Sequence, residues 1–376
     1  MHPYLVAATA SLDASIADIA SLVSVESPSR DAERVAASAR AVADLIARGT
    51  GLSAELVDSP VGPHVAVRAT ARPAVLFLGH HDTVHKAGTL DARPFTNDEG
   101  VLRGPGVFDM KAGIVQAVHA TRMLREAGID PAHVSMLFTA DEEVGSKTSR
   151  GLVEEMARAV DAVLVLEPSA DGGALKIARK GTGTFEVVIT GRASHAGLEP
   201  EKGINALVEL SHQVQRINGF GNPSLGTTVT PTVASAGTTD NTVPDSATIL
   251  VDARVVTPDE KQRVESLMNS LTPVLDGASI AVSGGLHRPP MHESMSRDLF
   301  ALAREVAAEV DGRDLVGVSV GGGSDGNFTA AIGVPTLDGL GAVGGGAHGE
   351  NEHVIADTIP FRTALVAGIA ARVVAG

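Results

Sequence analysis

The sequence contains no cysteine. This absence excludes disulfides, thiolate metal sites and cysteine nucleophiles, so any metal ion must be held by His, Asp and Glu. Aromatic residues make up only 3% of the 376 residues, and tryptophan is absent. Few side chains are therefore available to stack on nucleic-acid bases or sugar rings.

Positive charge is also scarce, because 30 Lys and Arg residues oppose 45 Asp and Glu residues, for a formal net charge of −15. Such a surface repels phosphates and anionic lipids, so we expect neither a nucleic-acid partner nor a membrane partner. Residues 1–20 carry acidic rather than basic side chains, unlike a secretory signal, and no apolar run reaches membrane-spanning length. The default expectation is a cytoplasmic protein.

The hydrophobic pattern predicts an α/β fold in two domains. Apolar runs at 74–78 and 162–166, and a largely apolar run at 134–139, are typical of buried strands, and amphipathic helical patterns lie between them. From about residue 178 the pattern alternates instead, which predicts a smaller α+β insertion with an antiparallel sheet. The predicted boundaries are 1–177 and 289–376 for the two parts of the larger domain, and 178–288 for the insertion.

The stretch GHHDTV, residues 79–84, follows the first buried run. In an open α/β sheet, chemistry is placed just beyond the carboxyl ends of the strands. Side chains of a strand alternate with period two, so His80 and Asp82 point the same way. The pair is a candidate for a metal ligand and the carboxylate that orients it. A solvated loop after a strand is the alternative.

A second candidate is Asp109, in the stretch GPGVFDMKAG that precedes an amphipathic helix. An aspartate at a helix start is commonly an N-cap. The neighbouring glycines equally permit a rigidly held carboxylate to bridge two cations. The residues themselves leave both readings open.

Carboxylates follow two further strands. Asp141, Glu142 and Glu143 come directly after the second buried run, and Glu167 follows the third. Three consecutive carboxylates at a buried strand end repel one another, and a nearby cation removes that penalty. A solvated acidic turn and a polar strand terminus are the simpler alternatives.

A further histidine, His348, follows the glycine cluster at residues 344–346. With it, these positions supply two imidazoles and three carboxylates at element ends that line one edge of a parallel sheet: His80, Asp109, Glu143, Glu167 and His348. This inventory suits two divalent cations such as Zn²⁺ that share one carboxylate. Glu142 is then left free for proton transfer.

With this set of residues, the chain resembles the di-zinc aminoacylase and glutamate carboxypeptidase family of metallopeptidases, which includes acetylornithine deacetylase and succinyl-diaminopimelate desuccinylase. The matching stretches run in family order: GHHDTV, GPGVFDMKAG, TADEEVGS, LEPS, ASHAG, NTVPD with DAR, GGGSDG and GAHGENEHV. The GPG before Asp109 and the HKAGTLDARPF segment look most similar to the bacterial glutamate carboxypeptidase (carboxypeptidase G) branch.

The resemblance implies a zinc-peptidase-like catalytic domain and a ferredoxin-like inserted domain that serves as lid and dimerisation domain. It implies two zinc ions, with cobalt or manganese as substitutes. Asp109 would bridge the ions, His80 and Glu167 would complete one, and Glu143 and His348 would complete the other.

Further roles follow from the same resemblance. Asp82 would orient His80, Glu142 would be the general base, and His195 would polarise the scissile carbonyl, either in its own subunit or across a homodimer. Substrate-binding positions would be Asn241, Arg254, Arg288, Gly322, Gly323 and Ser324. The alternatives for His195 and Arg288 are a buried core histidine and a surface arginine.

The function implied is hydrolysis of an amide or peptide bond next to a free carboxylate, by attack of a metal-bridged hydroxide. Substrates would be small N-acyl amino acids or dipeptide-like molecules. One alternative is an N-acyl-amino-acid deacylase of the acetylornithine or succinyl-diaminopimelate type. Another is a catalytically silent metal-binding homologue that acts as a binding module.

Overall fold

The computed structural model describes residues 2–376, which divide into two compact units. Unit 1 comprises residues up to 178, 293–320 and 324–376, and unit 2 comprises residues 179–292 and 321–323. The catalytic role predicted for the larger unit and the lid role predicted for the smaller one stay predictions.

The chain up to residue 178 contributes six helices and seven strands to unit 1, and an eighth strand ends one residue beyond it. The helices are α1 Pro3–Ala10, α2 Leu12–Val23, α3 Ala32–Thr50, α4 Thr89–Ala92, α5 Ala112–Glu126 and α6 Arg150–Arg158. The strands are β1 Glu55–Val57, β2 His64–Val67, β3 Val75–His80, β4 Thr96–Asp98, β5 Val101–Arg103, β6 Val134–Thr139, β7 Ala162–Val165 and β8 Leu175–Arg179.

Unit 2 contains β9 Gly181–Thr190, α7 Ala206–Asn218, β10 Thr228–Ala236, β11 Ser246–Val255, α8 Pro258–Asn269 and β12 Ser279–Arg288. The chain then returns to unit 1 as α9 Arg297–Asp311, β13 Gly317–Val320, α10 Gly326–Ala331, β14 Thr336–Leu337, β15 Gly344–Gly345, β16 His353–Ile355 and α11 Ile359–Ala375.

The main sheet of unit 1 has six strands in the order β1-β2-β6-β3-β7-β14. The pairs among β6, β3, β7 and β14 are parallel, and those among β1, β2 and β6 are antiparallel. Alternate residues of β3 enter different cores, since Val75 and Phe77 pack in one cluster and Leu76 and Leu78 in another. The sheet is therefore covered on both faces, as the apolar runs predicted.

The sheet of unit 2 has the strand order β10-β11-β9-β12, with every neighbouring pair antiparallel. With two helices in a βαββαβ chain order, this is the ferredoxin-like arrangement. Along β11 buried and half-buried residues alternate, so one face of the sheet packs against α7 and α8. The predicted mixed α/β fold with a ferredoxin-like insertion is confirmed.

The last helix, α11, belongs to the core of unit 1. Contrary to the expectation from the sequence, the segment Ala356–Ala375 is long and apolar enough to cross a membrane by length and composition alone, but 67% of its apolar 18-residue window is buried inside the protein. Its Arg362 is fully buried and donates hydrogen bonds to the carbonyl oxygens of Gly341, Gly173 and Gly339. Burial lowers the pKa of Arg362 to about 9.

Candidate metal centre

His80 is the last residue of β3 and is buried, and its ring is held in one orientation. Nδ1 lies 2.9 Å from the main-chain oxygen of Asp82 and 3.5 Å from Oδ1 of the same residue. Nε2 is thereby directed towards the other candidate ligands. The adjacent His81 points elsewhere, with its ring nitrogens 3.0 Å from the Pro63 carbonyl and 3.3 Å from the Ser38 hydroxyl.

The carboxylate of Asp109 lies between two imidazoles. Its Oδ1 is 3.2 Å from Nε2 of His80, and its Oδ2 is 3.3 Å from Nε2 of His348. Each oxygen thus faces a different histidine, which is the arrangement that a carboxylate needs to bridge two ions.

Each histidine also faces a glutamate. Nε2 of His80 is 3.6 Å from Oε1 of Glu167, and Nε2 of His348 is 3.2 Å from Oε2 of Glu143. Ligand atoms of His80, Glu142 and Glu167 also lie within 4.8 Å of one another. The structure therefore brings together all five predicted ligands and the predicted base within unit 1.

These residues fit divalent metal ions. Two ligands bound at about 2.1 Å to a tetrahedral ion stand about 3.4 Å apart, close to the spacing of the histidine and carboxylate atoms. Oε1 of Glu143 is buried and has no hydrogen-bond partner within residues 2–376. An unpaired buried carboxylate oxygen is costly, and a coordinated cation removes that cost.

The electrostatics of the cluster also favour positive charge at its centre. Hydrogen bonds to Asp109 and Glu143 raise the pKa of His348 to about 10. For His80, burial opposes protonation, but hydrogen bonds to Asp109 and Asp82 raise its pKa well above the usual value. Burial opposes ionisation of Asp109, yet bonds to both histidines hold its pKa below the usual range. Without metal, protons on the imidazoles supply the charge that the carboxylates require.

Comparison with known proteins also supports a metal-dependent hydrolase. The model of a family described as peptidase family M20/M25/M40 matches residues 76–372. The chain belongs to peptidase family M20/M25/M40. It is accordingly a hydrolase of the metallopeptidase type.

Two curated M20 relatives illustrate the range of the family. Carboxypeptidase G2 from Pseudomonas sp. (strain RS-16) is 33% identical over 374 residues, covering 96% of this chain and 89% of the relative. Succinyl-diaminopimelate desuccinylase from Ectopseudomonas mendocina (strain ymp) is 28% identical over 321 residues, covering 79% and 82%. Among solved structures, aminopeptidase PepT from Bacillus cereus ATCC 10987 has a TM-score of 0.75 at 22% identity, covering 96% and 98%, and supports the fold.

Glu352 supports the site and was not predicted from the sequence, whereas His85 was expected to lie near the ligands without being one. The buried carboxylate of Glu352 accepts hydrogen bonds from the main-chain N–H groups of Gly106, Phe108 and Asp109, at 2.9, 2.9 and 3.0 Å. It also lies 2.6 Å from Nε2 of His85. Glu352 therefore fixes the turn that carries the central aspartate of this M20 site. Its place in GAHGENEHV, four residues after His348, was the available signal.

The turn at Asp109 differs from the predicted helix start. The helix α5 begins at Ala112, and the Asp109 side chain caps nothing, so the N-cap reading is wrong. The Asp109–Met110 peptide bond is cis. Sδ of Met110 lies 3.4 Å from the main-chain nitrogen of His80, which joins this turn to the end of β3.

Asp82 has a second contact that the sequence did not predict. Its buried carboxylate accepts hydrogen bonds from the N–H groups of Glu142 and Glu143, at 3.2 and 3.3 Å. One carboxylate thus holds both the His80 motif and the turn that presents the predicted base.

In unit 2, His195 is exposed on the loop after β9, so the buried-core alternative is wrong. Its Nδ1 accepts hydrogen bonds from the N–H groups of Gly197 and Leu198, both at 3.1 Å. The ring proton of the neutral form is therefore on Nε2. The exposed Asn241 accepts a hydrogen bond on its main-chain oxygen from Ala196, next to His195.

The other predicted substrate-binding residues differ in burial. Arg288 ends β12 and is only 7% exposed, which rules out the surface-arginine alternative. Arg254 donates to Asp252 at 3.1 Å and to the Gly321 carbonyl at 3.0 Å. The carbonyls of Gly322 and Gly323 accept hydrogen bonds from Arg179.

Ser324 requires a correction. It is fully buried, and its hydroxyl donates to Oδ2 of Asp338 at 2.6 Å while its N–H donates to Asn327. Both polar groups are used inside unit 1, so the side chain holds the glycine-rich turn rather than a substrate.

Proposed function

We propose that this protein is a dinuclear zinc hydrolase that cleaves an amide or peptide bond next to a free carboxylate, in the manner of a glutamate carboxypeptidase. The observation that carries the proposal is the placement of Asp109, with one oxygen towards His80 and the other towards His348. The 33% identity to carboxypeptidase G2 supports the same activity.

In this proposal Asp109, His80 and Glu167 would hold one ion, and Asp109, Glu143 and His348 would hold the other. Zinc suits the mixed imidazole and carboxylate donors, and cobalt or manganese can substitute for it. When bound, such ions polarise a carbonyl and make water a nucleophile near neutral pH.

Glu142 is the proton carrier. Its turn is fixed by Asp82, and its carboxylate lies beside His80 and Glu167 without being required as a ligand. It takes a proton from the attacking water and returns it to the leaving nitrogen. The C–N bond breaks, the water oxygen stays on the acyl carbon, and the new carboxylic acid gives its proton to the released amine, so the products are a carboxylate and a free ammonium group.

The residues of unit 2 bind and polarise the substrate. The Nε2–H of His195 is available to donate to the carbonyl oxygen as negative charge develops there. Arg288 holds the free carboxylate through paired hydrogen bonds. We also propose a homodimer formed through unit 2, whose edge strand β10 exposes Val233 at 56%.

The experiment is an assay of free-amine release from N-acyl amino acids and dipeptides, with zinc present and after chelation. Hydrolysis of a glutamate-terminated substrate that depends on added metal supports the carboxypeptidase. Preference for acetylated or succinylated amino acids supports the deacylase instead, which the desuccinylase relative favours. If the protein binds zinc but cleaves none of these substrates, it is a binding module.

A further inference from the structure

His348 differs from the other candidate metal ligands in how it is held. Its side chain is 53% exposed, whereas the side chains of His80, Asp109, Glu143 and Glu167 are between 1% and 14% exposed. Packing around the ring therefore contributes little to its placement. The position of its Nε2 atom depends instead on the main chain of the turn that carries it.

This turn has an uncommon main-chain conformation at His348. The φ angle of 63° lies in the left-handed region, where residues other than glycine are seldom found. The N–H of Gly349 donates to the carbonyl of Gly346 at 2.8 Å and closes the turn. From outside the turn, Nη1 of Arg93 donates to the Gly349 carbonyl at 3.0 Å. The residue next to the ligand is thus held through both its N–H and its carbonyl.

Arg93 is itself held by the hydrogen-bond network that supports the Asp109 turn. Its Nη2 donates to Nδ1 of His85 over a longer distance of 3.4 Å. A guanidinium group has no acceptor, so the proton of the neutral His85 ring is on Nε2, which lies 2.6 Å from the Glu352 carboxylate. His85 and Glu352 are both buried. Contacts therefore run continuously from Glu352 through His85 and Arg93 to the turn that carries His348.

We propose that Arg93 is a positioning residue for His348 and that it determines how tightly Asp109, Glu143 and His348 hold their ion. The inference rests on the two-ion site of the proposed hydrolase. The hydrogen bond to Gly349 restricts the turn to the conformation in which Nε2 of His348 lies within 3.3 Å of both carboxylates. Without this bond, the turn can relax to a more favourable φ angle, and the half-exposed ring can move into solvent.

The charge of Arg93 and its positioning role act on zinc affinity in opposite directions. A positive charge near a cation site weakens cation binding, so its removal strengthens binding. Loss of a positioning contact weakens binding instead. Arg103 provides a control for the charge, because it lines the same cavity of about 230 Å³ as Arg93, Glu350 and Glu352. The exposed side chain of Arg103 forms no hydrogen bond or ion pair within residues 2–376.

The test measures the zinc affinity of metal-free protein by competition with a chelator. Arg93→Met, Arg93→Lys and the control Arg103→Met are each made in the wild type, in Glu167→Ala and in Glu143→Ala. The Glu167→Ala background leaves the ion at Glu143 and His348, and the Glu143→Ala background leaves the other ion. Urea denaturation of the chelated proteins checks that every variant is folded.

We expect Arg93→Met to lower zinc affinity by roughly 10-fold to 100-fold in the Glu167→Ala background. Lysine keeps one donor for the Gly349 carbonyl, so Arg93→Lys should lose less affinity. In the Glu143→Ala background, both substitutions should change affinity by less than about threefold. Arg103→Met should leave affinity equal to that of its background or slightly higher.

The outcomes separate this inference from the proposed function. Equal losses at both sites, no loss at either site, or the same loss in Arg103→Met would each show that Arg93 does not position His348, and the hydrolase proposal would stand. If the wild type does not bind two zinc ions, the two-ion hydrolase fails and the inference fails with it. If Arg93→Met does not fold, Arg93→Lys decides by the same comparison.

Discussion

The main-chain N–H of Asp109 donates a 3.0 Å hydrogen bond to Oε1 of Glu352, a residue 243 positions away in the sequence. The same carboxylate accepts two further N–H groups from the Asp109 turn and contacts His85. The predicted bridging ligand, Asp109, is thus positioned by an acidic side chain that lies outside the predicted ligand set. Supporting contacts of this kind determine how precisely a metal site is formed.

Replacement of Glu352 by Gln should weaken metal binding. The amide NH₂ would face N–H groups that now donate to a carboxylate oxygen, and each unsatisfied buried group costs about 1–3 kcal/mol. We expect zinc affinity of the metal-free protein to fall by roughly 10-fold to 100-fold. Glu350→Gln, exposed and two residues away, is the control, with affinity measured by competition with a chelator. Equal affinity in both variants would show that Glu352 does not position the site.

Substitution of Glu142 by Gln should remove catalysis without removing metal. The amide cannot accept the proton of water, so kcat should fall by about 10²-fold to 10⁴-fold or more. Zinc content and thermal stability should stay at wild-type values, as they should in the exposed control Glu155→Gln on α6. Near-normal turnover in Glu142→Gln would reject it as the general base.

Metal stoichiometry tests the two-ion assignment. Equilibrium dialysis of the chelated protein against zinc should give about two ions per chain for the wild type. The Glu143→Ala and Glu167→Ala variants should each lose about one tightly held ion, because each removes a ligand from a different site. A single ion in the wild type would contradict the bridging role of Asp109.

Gly113 on α5 lies against the strand end that carries Glu167. A Cβ at this position would stand 2.2 Å from the main-chain oxygen of Leu166, whereas a Cβ at Gly151 on α6 meets nothing within 4 Å. Gly113→Ala should therefore lower the free energy of unfolding by about 1–3 kcal/mol or more, and Gly151→Ala should raise it by about 0.5 kcal/mol.

Urea denaturation of the chelated proteins measures both changes. Because Leu166 precedes Glu167, Gly113→Ala should also weaken zinc binding, whereas Gly151→Ala should leave it unchanged. Equal stability in the two variants would mean that β7 can shift to accept the methyl group without cost.

His119 makes stability depend on pH at a place remote from the metal ligands. Its ring lies 2.9 Å from Asp18 of α2, 3.1 Å from Ser15 of α2 and 3.2 Å from Arg122 of α5. Burial lowers the pKa of His119 below its usual value of 6.5, an effect that Asp18 opposes and Arg122 reinforces. Below pH 6.5 the unfolded chain therefore binds more protons at this residue than the folded chain does.

The free energy of unfolding should accordingly fall as the pH drops below 6.5. The contribution of His119 to this fall is at most about 1.4 kcal/mol per pH unit. In chelated protein, the His119→Gln variant should lose less free energy of unfolding than the wild type between about pH 6.5 and the lowered pKa of His119. The exposed His212→Gln is the control and should keep the wild-type slope. Identical slopes in the two variants would rule out His119 as a source of the pH dependence.

The sequence by itself determined the buried strands that carry the candidate ligands and part of the antiparallel sheet of unit 2. Largely apolar runs predicted β3, β6 and β7, and alternation predicted β9 and β11, because burial on both faces or on one face of a strand leaves a local pattern in the sequence. Since parallel strands place their carboxyl ends at one edge, the ligands could be grouped before any distance was known.

Only the tertiary structure determined which distant groups share hydrogen bonds. Glu352 and Ser324 occupy matched motifs, yet one carboxylate supports the metal site while the other side chain is buried against Asp338. No local pattern distinguishes these outcomes, because each depends on a partner brought close by chain folding. A periodic hydrophobic pattern indicates which face of a helix or strand is buried, whereas no local pattern in the sequence indicates a polar contact between distant residues.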